Sequence, residues 1–229
     1  MYIRAEDLTY QYKNGRGIKG VSFCVESGDI LAVVGCNGAG KTTLLKVLAG
    51  LLTAVKGKVE IKGGKKDSLN NVISFLISDN VLIDHMTVLQ MINYVNIMKE
   101  INLSNEEIEY KLETFFLTEY KKMKISTLST GTKKRLSIFL TFLSNSDIIL
   151  FDEPTNGLDT KSVILFKNLL REYSENGKII IITSHILDFV QSIANKALII
   201  DGGEQESEIV CLNNVTLEEL YIRKEQPLK

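Results

Sequence analysis

Apolar and polar positions along the chain follow three rhythms. Residues 2–9, 21–25 and 57–61 read as short β-segments, separated by turn signals at Asn14-Gly15 and Ser27-Gly28. They predict a small antiparallel sheet. Among them stands an unbroken apolar run, Asp29-Ile30-Leu31-Ala32-Val33-Val34, with the pattern of a buried strand. Residues 43–49, Thr-Leu-Leu-Lys-Val-Leu-Ala, then read as a helix. From 88 to 120 the strand pattern gives way to a helical one. Val88, Met91, Ile92, Val95 and Met98 recur at helical spacing, and Ser104 with Glu107 forms a capping box that opens a second helix. The Met-containing stripe reads as packing.

The second half alternates. Residues 147–151 are strand-like, 161–173 helical, 178–183 a β-branched buried strand, 187–194 helical and 197–200 a strand again. Residues 216–221 read as a short terminal helix. Alternation of this kind predicts a parallel sheet covered by helices on both faces, with ligands at the carboxyl ends of its strands. Neither a Pro-rich linker nor an internal repeat interrupts it, the only prolines being Pro154 and Pro227.

Composition narrows the partners. At 45% hydrophobic and 24% charged residues, the chain has the make-up of a globular protein. A net charge of −1 argues against a broad nucleic-acid footprint, so no nucleic-acid partner is expected. No apolar run approaches the roughly 20 residues that span a bilayer. The opening Met1-Tyr2-Ile3-Arg4-Ala5-Glu6-Asp7 lacks the apolar core of a signal peptide. The expectation is a cytosolic location. Cys24, Cys36 and Cys211 have neither metal-site nor redox-motif spacing and read as free thiols.

The chemistry begins between the first buried strand and the first helix. Gly35-Cys36-Asn37-Gly38-Ala39-Gly40-Lys41-Thr42-Thr43 fits G-x-x-x-x-G-K-T, the phosphate-binding loop. A polyphosphate needs several N–H donors aimed at one point, and a Gly-rich turn followed by a helix N-terminus supplies them. Lys41 would reach the β- and γ-phosphates, and the Thr42 hydroxyl would bind Mg²⁺. By composition alone the pattern occurs in about one chain in a hundred of this length. Its strand–loop–helix setting removes most of that chance. Cys36 reads most simply as a small residue filling a loop position.

A second constellation lies downstream. The strand Ile148-Ile149-Leu150-Phe151 ends in Asp152-Glu153-Pro154. Alone this is a serviceable acidic turn. Beside a nucleotide, Asp152 would complete the Mg²⁺ shell with Thr42, and Glu153 would polarise the attacking water. His185, after the 179–182 strand, falls on the same ligand edge and could reach the γ-phosphate or the water. His85 carries no such context and reads as structural or solvated.

Between these elements stands Leu128-Ser129-Thr130-Gly131-Thr132-Lys133-Lys134-Arg135. Read alone it is a polar cap on a helix covering 132–143. It also resembles the L-S-G-G-Q signature of ATP-binding cassette (ABC) ATPases. The phosphate loop, this signature, Leu150-Phe151-Asp152-Glu153-Pro154-Thr155, Gly157-Leu158-Asp159 and Ser184-His185 occur in that family's order, across nearly the whole chain.

The resemblance implies an α/β fold: a P-loop NTPase core with a mainly parallel sheet, a small antiparallel β-subdomain and an inserted helical lobe. The core and β-subdomain would cover 1–78 and 146–229, the lobe with its signature 79–145. Two such subunits would pair head to tail, the Ser129 and Gly131 of one clamping ATP on the phosphate loop of the other. Tyr12 matches the aromatic that stacks on adenine, with Tyr10 the competing choice. Asp159 matches the loop that contacts the second subunit, His185 the histidine switch and Glu153 the glutamate that supports hydrolysis. Integral membrane subunits would be separate chains, docked near residues 79–124, which places the subunit on the inner face of the cell membrane. The function implied is ATP hydrolysis powering a transporter, with an exporter suggested by similar compact subunits. The alternatives are a weakly hydrolysing regulatory cassette and a non-transport ABC protein acting on ribosomes or DNA.

The chain departs from the family at four positions. Thr130 and Thr132 stand where Gly and Gln are usual in the signature, and Cys36 where Pro is common. Ser78 aligns with a Gln that meets Mg²⁺ and the membrane partner, and is too short to bridge the same gap directly.

Overall fold

The computed structural model describes residues 1–63, 72–76, 82–212 and 215–219. Ser78, the start of the expected helical lobe and Tyr221 lie outside the described residues.

The N-terminal strands are β1 (Tyr2–Gln11), β2 (Gly17–Glu26) and, after the phosphate loop, β4 (Lys56–Lys62). β1 pairs antiparallel with both others, and its alternating buried positions, among them Ile3, Ala5 and Leu8, face the core. Each strand is longer than its apolar pattern suggests, because polar residues at the ends still join the ladder.

β3 (Ile30–Val34) has no exposed position. It is followed by α1 (Lys41–Leu48), and β5 (Ile73–Leu76) comes later. The helices α2 (Val88–Met98), α3 (Asn105–Thr114) and α4 (Thr130–Leu143) precede β6 (Ile148–Asp152). Then come α5 (Thr160–Glu175), β7 (Ile179–Thr183), α6 (Leu187–Gln191) and β8 (Lys196–Asp201). Two short strands, β9 (Glu204–Gln205) and β10 (Val210–Cys211), pair with β8. The order across the sheet is β4-β1-β2-β9-β8-β3-β7-β6-β5. β8, β3, β7, β6 and β5 run parallel, as the alternating pattern predicts. The antiparallel strands are not a separate sheet: β2 joins the parallel part through Lys19 and Glu204 of β9.

Each central strand feeds two cores by alternation. Ile30, Ala32, Val34, Ile149, Phe151, Ile180 and Ile182 face a layer with Ile92, Leu112, Leu136, Phe142, Phe166 and Val190 of the later helices. Leu31, Val33, Ile148, Leu150, Ile179 and Ile181 face α1 and the inner side of β1 and β2. A five-residue strand buried throughout therefore reads as a continuous apolar run and not as an alternating one.

Helix ends follow their caps. The predicted Ser104–Glu107 capping box opens α3, with Glu107 N donating to Ser104 Oγ at 3.2 Å and Ser104 N to Glu107 Oε2 at 2.8 Å. α4 starts at Thr130, two residues before the expected position, because Ser129 is its N-cap and accepts from Thr132 N at 3.2 Å. On α2, Val88, Met91 and Ile92 are buried as the stripe predicts, but Met98 is 63% exposed. α6 stops at Gln191, short of the expected 194.

Polar groups brace the amino ends of the parallel strands. Asp29 accepts from Glu26 N (2.8 Å), Asn195 Nδ2 (2.9 Å) and Lys196 Nζ (2.7 Å), while Asn195 Oδ1 takes the Ile30 amide at 2.9 Å. Burial pushes the Asp29 carboxyl up, but these donors outweigh it and hold it below its ordinary range. Lys178 ties Asp147 (3.1 Å) to the Asn145 carbonyl (3.2 Å) in the same layer. Ser74 bonds Ser144 and Ser146 there as well.

Candidate functional site

The carboxyl end of β3 turns into the glycine-rich loop, and the loop into α1. Gly40 caps the helix at φ +104°, a conformation that side chains disfavour. A Cβ there would lie 2.7 Å from the Gly17 carbonyl oxygen, so the loop is held against the β1–β2 hairpin. Gly40 brings no side-chain cap to the helix. The first-turn amides of α1 therefore remain available to an external acceptor.

Lys41 is nearly buried and folds back over the loop, its Nζ donating to Gly35 O at 2.7 Å and Cys36 O at 3.1 Å. Cys36 itself is exposed with a free thiol. The open side is a cleft of about 370 Å³ lined by Asn37, Gly38, Ala39, Gly40, Lys41, Thr42 and Thr43 on one wall and by Tyr12, Asn14, Arg16 and Gly17 on another, with Asp152 and Glu153 at its floor.

β6 brings the two carboxylates to that floor. Asp152 is 1% exposed. Thr42 Oγ1 donates to its Oδ2 at 2.9 Å and Thr183 Oγ1 to its Oδ1 at 2.7 Å. Thr183 escaped the sequence reading. Its place becomes visible only from the register, which sets Asp152 beside Thr183. Its hydroxyl also accepts the Glu153 amide at 3.0 Å.

Glu153 adopts φ +45°, a left-handed backbone for a side-chain-bearing residue. Such a conformation costs about 1–3 kcal/mol and persists where the surroundings enforce it. Its Oε2 lies 2.9 Å from His185 Nδ1. Its Oε1 is buried without a hydrogen bond, the nearest cation being Lys41 Nζ at 3.9 Å. Thr155 Oγ1 is the other buried orphan among the described residues. A phosphate cradle, an inward-facing lysine, a paired Thr–Asp and an orphaned carboxylate oxygen together fit a nucleoside triphosphate with a divalent cation.

The predicted residues divide into those at the cleft and those away from it. Tyr12 lines it, whereas Tyr10 lines a neighbouring cavity and meets Tyr12 edge-on at 4.9 Å, which favours Tyr12 over Tyr10 as the base platform. Asn14, Arg16 and Gly17 also line the cleft and were missed, since the Asn14-Gly15 signal marks a turn but not what the turn faces. Ser129 and Gly131 sit at the start of α4, outside the residues that line the cleft. The Ser129 hydroxyl is engaged with Thr132 Oγ1 at 2.9 Å. A Cβ on Gly131 would come within 2.9 Å of the Gly157 carbonyl oxygen, so the signature and the 155–159 loop touch within one chain. Asp159 caps α5, accepting from Ser162 N at 2.7 Å, and its bonding with Ser162 holds its carboxyl below the usual range.

Strand, phosphate loop and helix on a mainly parallel sheet define the P-loop nucleotide-binding class. The chain belongs to the ABC transporter family, whose sequence pattern matches residues 18–156. It is 31% identical over 233 aligned residues to an uncharacterised ABC transporter ATP-binding protein of Methanocaldococcus jannaschii, covering 98% of this chain and 87% of that one. It is 29% identical to the ABC transporter ATP-binding protein NatA of Bacillus subtilis, over 82% of this chain and 80% of NatA. Among solved structures, an ATP-binding subunit of an ABC transporter superposes with a TM-score of 0.86 over 99% of this chain and all of that one, at 23% identity, a likeness of fold. The structure of cbiO1 from Clostridium perfringens, part of the ABC transporter complex cbiONQ, superposes with a TM-score of 0.75 at 27% identity over 97% and 93% of the two chains. The α/β ABC ATPase fold and ATP-binding transport class follow from these matches.

Proposed function

We propose that this chain hydrolyses ATP and passes the energy to a transporter whose membrane-spanning parts are separate subunits. The observation that carries the reading is the convergence of Lys41, Thr42, Asp152, Glu153 and His185 on one edge of the sheet, with contacts of 2.9 Å for Thr42–Asp152 and His185–Glu153. The cleft holds ATP, with Tyr12 under the base and the amides of residues 37–43 around the phosphates. Lys41 exchanges its loop carbonyls for the β- and γ-phosphates. Thr42 and Asp152 would hold Mg²⁺, which when bound would neutralise charge on the phosphate oxygens. Glu153 orients and polarises the attacking water, and His185 fixes the Glu153 carboxylate through its Nδ1. Positioning and electrostatics supply most of the rate.

The same reading gives the remaining assignments. Two subunits pair head to tail, Ser129 and Gly131 of each closing on the nucleotide of the other and Asp159 meeting the second subunit. The core and β-subdomain comprise 1–78 and 146–229 and the lobe 79–145. The lobe faces the membrane subunits on the inner face of the membrane. Among the described residues no helix is long and apolar enough to cross a membrane, in keeping with that division of labour. Export is the direction proposed, by likeness to compact subunits.

A weakly hydrolysing regulatory cassette is favoured by one observation. The Ser129 hydroxyl already bonds Thr132, a residue that replaces the family's Gln. Phosphate release by the purified chain, with and without its membrane partner, separates the two. Turnover that Glu153→Gln abolishes supports the first reading. Negligible turnover in both conditions supports the second.

A further inference from the structure

The cleft wall opposite the phosphate loop is a tight hairpin. Tyr12 N donates to Arg16 O at 2.7 Å, Gly15 N to Tyr12 O at 2.9 Å and Arg16 N to Asn14 Oδ1 at 3.1 Å. The ladder pairs Gln11 with Gly17, so the next facing pair is Tyr12 and Arg16. A Cβ on Gly17 would fall 1.9 Å from the Tyr10 carbonyl oxygen, so the hairpin can close this tightly only with glycine there.

The charged side chains lining the cleft are Arg16 and Lys41 on the positive side, Asp152 and Glu153 on the negative. Lys41 is held on two carbonyls, and Asp152 is bonded to two threonines. Arg16 differs: among the described residues only its backbone is engaged. Its guanidinium carries five donors, and the Tyr12 N–Arg16 O bond of the turn sets it beside the residue that meets the base.

We propose that Arg16 is a second anchor for the nucleotide, its guanidinium pairing with the α-phosphate. The proposal rests on the cleft being the ATP site. Lys41 lies at the inner end, beside Glu153, where the terminal phosphates end. Tyr12 lies at the base end. The phosphate nearest the base is the α-phosphate, and a guanidinium matches two of its oxygens at once. Because the contact is made at an exposed hairpin, its contribution is moderate and weakens with salt.

The test is titration of ATP and of ADP into the full chain at low and at physiological ionic strength. Arg16→Gln is expected to weaken both nucleotides by the same factor, about tenfold, and to flatten the salt dependence. Arg16→Lys should recover part of the loss. Tyr12→Ala should weaken binding with the salt dependence intact. Unchanged affinity in Arg16→Gln, or an unchanged salt dependence, overturns the proposal. So does a loss confined to ATP, which would place the contact on the γ-phosphate. Normal ATP affinity in Lys41→Ala would instead overturn the cleft reading, and the Arg16 assignment with it. The hairpin tip is exposed, so equal melting temperatures for Arg16→Gln and the parent chain are the expected control.

Discussion

The two ends of the parallel strands are built on opposite terms. At the amino ends Asp29 gathers three donors, Lys178 bridges two acceptors and Ser74 bonds two serines. At the carboxyl ends Glu153 is strained, and its Oε1 and the Thr155 hydroxyl are buried without partners. Among the described residues, one end leaves no buried side chain without a partner. The other keeps two buried polar atoms, Glu153 Oε1 and Thr155 Oγ1, without partners among the described residues. Unpaired buried groups are costly, so a chain that keeps them at one edge sets stability against readiness to bind.

If the contrast holds, substitutions at the two ends should separate function from stability. The largest effect should come from Glu153→Gln, which is expected to slow phosphate release by about a thousandfold while ATP still binds. Unchanged turnover would remove Glu153 from the reaction. Lys41→Ala should weaken ATP binding by about a hundredfold or more, read by nucleotide titration, because a charge-assisted contact to phosphate is lost. Asp29→Ala should do the reverse, lowering unfolding free energy by about 3 kcal/mol in denaturant melts, since it strands Lys196 and several donors. ATP affinity of the folded fraction should not move.

The pH dependence sharpens the same point. Asp29 has a depressed folded-state pKa, so its stabilisation is present above its unfolded value, near 3.9, and is lost as pH falls through the lower folded value. Acid melts of the parent chain should therefore lose stability more steeply below about pH 4 than those of Asp29→Asn. The smallest change in stability is expected from Glu153→Gly, which relieves the left-handed strain and the buried carboxylate. It should raise unfolding free energy by about 1 kcal/mol while abolishing turnover.

Much of this was legible in the sequence because the signals were local. The run 30–34, the Ser104–Glu107 box and the phosphate loop each carry their reason within a few residues. The Thr87–Gln90 box that opens α2 obeys the same rule, with Gln90 N to Thr87 Oγ1 at 3.2 Å, and was readable but unread. Thr183 and Arg16 were not readable in that way. Thr183 enters the site through β6–β7 register, and Arg16 because the hairpin signalled by Asn14-Gly15 packs across from the phosphate loop, a long-range placement that the turn signal does not carry. The strain at Glu153 is likewise set by what surrounds the strand end, since Glu has no intrinsic preference for that backbone.

The approach of Gly131 to the Gly157 carbonyl has a further meaning. The segment from Glu153 to Gly157 is only a short tether, so the reacting end of β6 and the start of α4 are linked by a few residues and one close backbone approach. In the head-to-tail pairing proposed above, the first would belong to a subunit's own nucleotide and the second to its neighbour's. Each ATP would then be felt at both pockets, and thermodynamic reciprocity requires that the influence be equal in both directions. Two pockets joined in that proposed way would not keep independent accounts of occupancy. The pair would then count to two as a single switch.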